Sequence, residues 1–426
     1  METERPARRP NAAAIIAEYN PFHLGHAYQI REARRLSGAD YIIIIMSGCF
    51  VQRGGPALLD KYARTRLALL GGADLVLELP CAAACGSAPY FAGEAVRILD
   101  RLGVVKELWF GSEAGRTEPF LALADLLTRE PEAYRQALRR FIRQGDSFPL
   151  ARRKALEENF SAALFPAGTF ELQAFLEAPN NILGLEYCAA LNRRHSSIRP
   201  RTLKRAGSGY HDRDLSESFS SATALRQRIL AGAAKELENQ FPPEIWPELQ
   251  GALLREGCLE DEDFSLPLKC LLLDSSLASL SSYLPEELAR RALNLRGRFL
   301  SFSQFTDLLK TRNRTRTSVQ RSLLRLLLRI PVLSGENNPE HFSGTLSCRT
   351  LTDEGRVRIL GFRKTAAPLL SEIKRQSSLA LEARPADLPE DAYQIDFRAS
   401  NLYEAVRSHK ARQPFRDEKT RQPVIL

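Results

Sequence analysis

Two histidines and a glycine supply the chain's clearest chemistry: His23, Gly25 and His26 sit together in the stretch AAAIIAEYNPFHLGHAYQIRE at 12–32. An imidazole offers N–H donors, and a glycine lets the backbone come close to a bound group. Ahead of them Ala12 to Ala17 is a small apolar run of strand length, and behind them His26, Ile30 and Ala33 suit one face of a helix. A helix entered through so tight a turn aims its unpaired N–H groups at whatever lies above the strand's carboxyl end, which favours an anion such as phosphate. Ile16, Ala17, Glu18, Tyr19, Asn20, Pro21, Phe22 and Gly25 therefore read as a phosphate cradle, with His23 and His26 as its donors. Two other readings stay open. One is ordinary ring packing; the other is a metal pair, although helical zinc pairs need a third ligand and an adjacent acid, and no candidate has convincing spacing.

The elements that would hold this turn follow in alternation. A β-branched strand at 40–46 leads to a helix at 60–70, a strand at 74–79, a helix at 91–102 and a strand at 106–110. Such alternation predicts a parallel, doubly wound α/β sheet that binds ligands at the carboxyl ends of its strands. At those ends lie a glycine-rich loop from Ser47 to Pro56 and the segment Gly111-Ser112-Glu113, where Gly111 leaves room for an adenine or a ribose. Gly54 and Gly55 serve equally well as plain turn residues. Residues 117–160 read as a helical cover, and Pro179-Asn180-Asn181 starts a further helix with Asn180 in part as its N-cap. A strand over 198–205 ends in Lys204-Arg205 beside Gly207 and Gly209, which suits a triphosphate or a solvated basic turn. Ser221, Thr223 and Arg226 then open another helix, with hydroxyls in capping positions and the arginine one turn in.

With 426 residues, 44% hydrophobic and 26% charged, the chain can core two or three domains. A net charge of +9 and a pI near 9.3 are compatible with a polyanionic partner. Residues 1–10 read as a loose lead-in and not a signal peptide, and no apolar run reaches the ~18 residues of a membrane span. Seven cysteines without paired spacing read as reduced and structural, Cys188 and Cys270 lying in apolar segments. After about 235 the pattern changes, with Pro242-Pro243 at a plausible boundary and helices over 266–330. There Lys310, Arg312, Arg314, Arg316, Arg321, Arg325 and Arg329 form a basic run without an acid. Arg314, Arg321, Arg325 and Arg329 are predicted to share one helix face while the leucines pack elsewhere; phosphates of a nucleic acid explain the run better than a solvated face. A strand at 357–362 and helices at 365–374 and 399–407 follow, and residues 411–426 read as loose.

His23-Leu24-Gly25-His26 resembles the HxGH signature of the nucleotidyltransferase superfamily, and the longer EYNPFHLGH resembles the bacterial tRNA(Met) cytidine acetate ligase family. The likeness extends over most of the chain. Thr223-Ala224-Leu225-Arg226 is similar to the superfamily's second, TxxR signature, PNNILG at 179–184 and Leu360-Gly361-Phe362 to family segments, while a KMSKS-like lysine string is missing. The resemblance implies a Rossmann-like ATP-binding domain at 11–235 followed by a mostly helical RNA-binding region at 236–410. It implies ATP contact by the turn, Gly111, one of Asn180 and Asn181, Arg205, Ser221, Thr223 and Arg226. It further implies acetyl-adenylate formation from acetate and ATP, transfer to N4 of the wobble cytidine of elongator tRNA(Met), and magnesium as the phosphate counterion without a carboxylate cage. A cytoplasmic enzyme without a membrane or an obligate protein partner is expected. The competing readings are an adenylyltransferase for a small phosphorylated metabolite and a non-catalytic RNA-binding protein.

Overall fold

The apolar runs become strands because both faces of each are covered. In the computed structural model the described residues are 10–146, 148–159, 169–205, 221–312, 314–332 and 355–426. The main sheet contains β1 (Ala12–Ala17), β2 (Tyr41–Ser47), β5 (Leu75–Leu79), β6 (Val105–Ser112), β7 (Arg199–Lys204), β8 (Arg356–Phe362), β9 (Ala380–Glu382) and β10 (Val424–Ile425). Its order is β10-β8-β5-β2-β1-β6-β7, with β9 beside β8. From β5 to β7 the strands are parallel, as the alternation predicts; β8 runs antiparallel to β5 and carries β9 and β10 in its own direction.

Alternate residues of β1 and β2 feed two apolar cores. Ala12, Ala14, Ile16, Ile43 and Ile45 pack toward the helices Ala88–Leu102, Glu118–Arg129 and Pro179–Arg193. Ala13, Ile15, Ile42, Ile44 and Met46 pack toward Leu24–Ser37, Lys61–Leu70, Ala222–Leu230 and Trp246–Glu256. A third core fills the helical region between 264 and 330 and also takes in Phe50, Ala399 and Tyr403.

Three expectations change. Residues 411–426 are not loose: the last of them form β10, and Glu418 is buried in the protein. Because 356–425 complete the sheet begun at residue 12, the first domain is not confined to 11–235; the helical region is inserted between β7 and β8. The loop from Ser47 to Pro56 folds as an antiparallel hairpin of β3 (Phe50–Val51) and β4 (Gly55–Pro56). Among the cysteines, Cys49, Cys81, Cys85 and Cys188 are buried free thiols, whereas Cys270 is exposed because it falls on the outer side of the Ser265–Leu273 helix. The lead-in, apart from Pro10, lies outside the described residues, as do Gly207, Gly209 and Cys348.

Candidate nucleotide site

At the carboxyl end of β1 the chain turns through Tyr19, whose φ of 47° lies in the left-handed region, and through a cis Asn20-Pro21 bond. Tyr19 is locked there, buried with its ring edge-on to Phe22 and His26 at 4.9 and 4.8 Å. His23 then caps the Leu24–Ser37 helix. Its Nδ1 accepts the Gly25 N–H at 3.0 Å, and its own backbone N–H donates to Nδ1 of His26 at 3.3 Å. With both Nδ1 atoms accepting, each neutral ring carries its proton on Nε2. The backbone thus sets the donors that the sequence pattern assigns to the histidines.

The environment keeps those rings neutral. Burial, reinforced by the positive charge of Arg205, holds His23 down to about 3. Burial, His23 and Arg205 likewise lower His26. His23 Nε2 is buried without a partner among the described residues, and so is Nε of Arg205. Such groups are costly unless something binds them, and a pair of N–H donors suits an anion.

Arg205 arrives from the end of β7, its N–H on the Ser112 carbonyl at 2.9 Å. It lies against Gly111, where a Cβ would stand 3.3 Å from its Cγ. Arg226 comes from the other signature: Ser221 caps its helix by accepting the Ala224 N–H at 3.2 Å, and the guanidinium donates to the Asn20 carbonyl at 3.1 Å. His23, His26, Gly111, Arg205 and Arg226 are therefore gathered at one end of the sheet. Thr223 lies in the first turn of the same helix.

The asparagines do something different from what their position suggests. Ala178 is the N-cap and Pro179 the first helical residue, so Asn180 is not a cap. Instead Asn180 Nδ2 donates to Glu113 Oε1 at 2.7 Å. Asn181 is buried; its Oδ1 accepts from the N–H groups of Glu113 and Ala114, and its Nδ2 donates to the Phe175 carbonyl. With both ends of its amide in use, Asn181 shapes the loop after β6, and Asn180 is the one left half-buried at its edge.

Sequence reasoning missed Arg64. Fully buried, it donates to the carbonyls of Leu59 at 3.1 Å, Glu18 at 2.6 Å, Ser47 at 3.1 Å and also Gly48, tying the ends of β1 and β2 together. Nothing in its surroundings in sequence distinguishes it from a solvated arginine on a helix. The hairpin adds two further ties, Gln52 N–H to Glu18 Oε1 and Leu58 N–H to Asn20 Oδ1, both at 2.8 Å. Its glycines are packing residues: a Cβ on Gly54, at φ 90°, would come within 2.6 Å of the Arg321 backbone nitrogen, and one on Gly55 within 2.3 Å of Asp261 Oδ1.

The basic run is divided by the fold. Only 316–327 is helical, so Arg314 precedes the helix and Arg329, at φ 53°, follows it. The four arginines do not share an exposed face: Arg325 is buried and donates to the Pro331 carbonyl at 2.6 Å. Arg316 pairs with Asp307 at 2.9 Å. Lys310, Arg312 and Arg329 are exposed, Arg321 is half-buried, and the leucines at 323, 324, 327 and 328 are in the core as predicted.

A parallel sheet whose first strand feeds a histidine-capped helix, met by a serine-capped helix bearing an arginine, defines a nucleotidyltransferase. The HIGH Nucleotidyl Transferase family model matches residues 11–418. The tRNA(Met) cytidine acetate ligase of Acetivibrio thermocellus is 34% identical over 385 residues, covering 88% of each chain. That of Halothermothrix orenii is 37% identical over 383 residues, covering 86% of this chain and 85% of its own. The crystal structure of Thermotoga maritima TmcAL bound with alpha-thio ATP superimposes with a TM-score of 0.84 at 29% identity, covering 98% of this chain and 99% of the other. The chain belongs to the tRNA(Met) cytidine acetate ligase family.

Proposed function

We propose that the protein uses ATP to convert acetate to acetyl-adenylate and passes the acetyl group to N4 of the wobble cytidine of elongator tRNA(Met). The observation that carries the first step is the buried Nε2 of His23, unpartnered among the described residues and within the field of Arg205, at the end of β1. Attack by a carboxylate on the α-phosphorus asks for positioning and for donors that meet the growing charge. Neutral Nε2–H groups on His23 and His26 supply such donors, with Arg205 and Arg226 to hold the diphosphate. Ile16 to Phe22, Gly25, Gly111, Asn180, Ser221 and Thr223 complete the proposed ATP contacts. Mg²⁺ accompanies the nucleotide as the counterion of its phosphates. The RNA is proposed to lie on the exposed cations Lys310, Arg312 and Arg329, with its acceptor base unpaired. No helix among the described residues is long and apolar enough to cross a membrane, and a cytoplasmic site of action fits a tRNA substrate.

The test is to incubate the protein with ATP, labelled acetate and bulk bacterial tRNA, then digest the RNA and separate the nucleosides. Label on cytidine with AMP and diphosphate as co-products is expected. Label on another nucleoside would overturn the acceptor. ATP consumption without label in RNA would favour a small-metabolite adenylyltransferase, and no ATP turnover would favour a binding protein.

A further inference from the structure

Ser47 ends β2 with a hydroxyl that nothing in the mechanism uses. The residue is fully buried, and its Oγ has no hydrogen-bond partner among the described residues. A donor left dry and unpaired in this way costs stability, so its position calls for an explanation. Met46 pairs with Ala17 across the parallel β1–β2 register. The next residue along, Ser47, therefore stands beside Glu18, at the same level as the start of the nucleotide turn.

Charges of both signs surround the strand end. Arg64 spends its guanidinium on four backbone carbonyls, those of Glu18, Ser47, Gly48 and Leu59, while the charges of Asp60 and Glu18 also act on it. Burial holds the Glu18 carboxylate above the usual range, although the Gln52 N–H and the charges of Arg64, Arg53 and Arg226 pull it down. Topology adds a direction. Gly111 and Arg205 belong to β6 and the end of β7, on one side of β1, while β2 lies on the other. An acid that attacks the α-phosphorus has to approach from the side the nucleotide leaves free.

We propose that Ser47 holds the carboxylic acid substrate at the end of β2, donating its O–H to one carboxylate oxygen while the other attacks the α-phosphorus of ATP. This rests on the adenylating function proposed above. The new oxygen–phosphorus bond forms as the bond from that phosphorus to the bridging oxygen breaks, and diphosphate leaves with the electron pair. No proton is released in the step. Packing beside the strand end is close, since a Cβ on Gly48 would stand 2.5 Å from Glu78 Oε1.

The experiment is acetate-dependent exchange of labelled diphosphate into ATP, run with the full chain and its Ser47→Ala variant. The variant's KM for acetate is expected to rise about 10- to 100-fold, as for removal of a hydrogen bond to a charged partner. Its KM for ATP and its affinity for tRNA should stay within twofold. Its melting temperature should be unchanged or higher, because a buried unpaired hydroxyl has been removed. A wild-type acetate KM in the variant overturns the assignment. A lower melting temperature with equal losses of acetate and ATP affinity also overturns it, since that is the mark of a structural role. If the wild-type protein shows no exchange, the adenylating function falls and this inference with it; exchange with an unchanged KM removes this inference alone.

Discussion

Arg226 donates to the backbone carbonyl of Asn20 at 3.1 Å, across 206 residues of sequence. That hydrogen bond seats the Ser221-capped helix on the turn that presents His23, so two short signatures share one wall. Its guanidinium is half-buried and faces Glu18, and both surroundings fix its position before a nucleotide arrives.

Replacing His26 by Ala removes one oriented donor and is expected to slow adenylate formation by ~10²–10³. His23→Ala should do the same and also lower stability by about 1 kcal/mol, because the Gly25 N–H is left without its cap. Diphosphate exchange and chemical denaturation read the two effects separately. Exchange at the wild-type rate in His26→Ala would remove that histidine from the mechanism.

The depressed pKa of His23 has a pH signature. The folded protein refuses a proton down to about pH 3, whereas the unfolded chain takes one near 6.5. The ring's contribution is therefore intact above about pH 6.5 and is lost as the pH falls toward 3. Asp396 and Glu256, each raised to about 7 by burial first of all, act in the opposite sense, so the useful measurement is variant against wild type. His23→Asn keeps a capping oxygen and does not titrate; its denaturation midpoint should fall less steeply between pH 6 and 4. Parallel curves would argue that the imidazole is protonated in the folded state.

For RNA, the exposed and buried cations should separate. Reversing the charge of Lys310 and Arg312 is expected to weaken tRNA binding and reduce the slope of log affinity against log salt by about 1 for every phosphate no longer neutralised. ATP affinity should hardly move. Arg325→Ala, by contrast, should lower stability and leave the salt slope alone, since this side chain is buried on the Pro331 carbonyl. An unchanged slope in the double reversal would mean that this surface does not carry the RNA.

Glu418 is expected to matter for stability although it lies near the chain's end. Burial alone would raise its pKa, but Lys61 and Arg358 outweigh burial and bring it down to about 2. Lys61 Nζ lies 2.8 Å from it and 2.6 Å from Glu78, and Arg358 pairs with both acids. Glu418→Ala leaves two buried cations with one acid and should cost about 3–5 kcal/mol in urea denaturation. A decrease under 1 kcal/mol would mean that water reaches the cluster.

Much of the sheet is legible in the sequence because its strands are short apolar runs between polar boundaries: β1, β2 and β5 fall within a residue or so of their predicted limits. The histidine turn and the Ser221 helix are legible for the same local reason, since caps are written in adjacent residues. Other features depend on the meeting of distant segments. The polarity of Arg325 suggests solvent, yet a tight turn after its helix brings the Pro331 carbonyl to it. Arg64 and Ser47 look ordinary until the ends of β1 and β2 are placed side by side. The closing strand β10 is two residues long, too short for any periodicity to register.

The insertion of the helical region between β7 and β8 also bears on how the chain reaches its fold. During synthesis β5 emerges early, with the strand that will cover its outer edge still unmade. That edge presents unpaired N–H and C=O groups to any other extended chain, and its residues Leu75, Val76 and Leu77 are apolar. Until β8 arrives, the nascent sheet is open to strand exchange and aggregation, and the delay lengthens with every residue of the intervening helices.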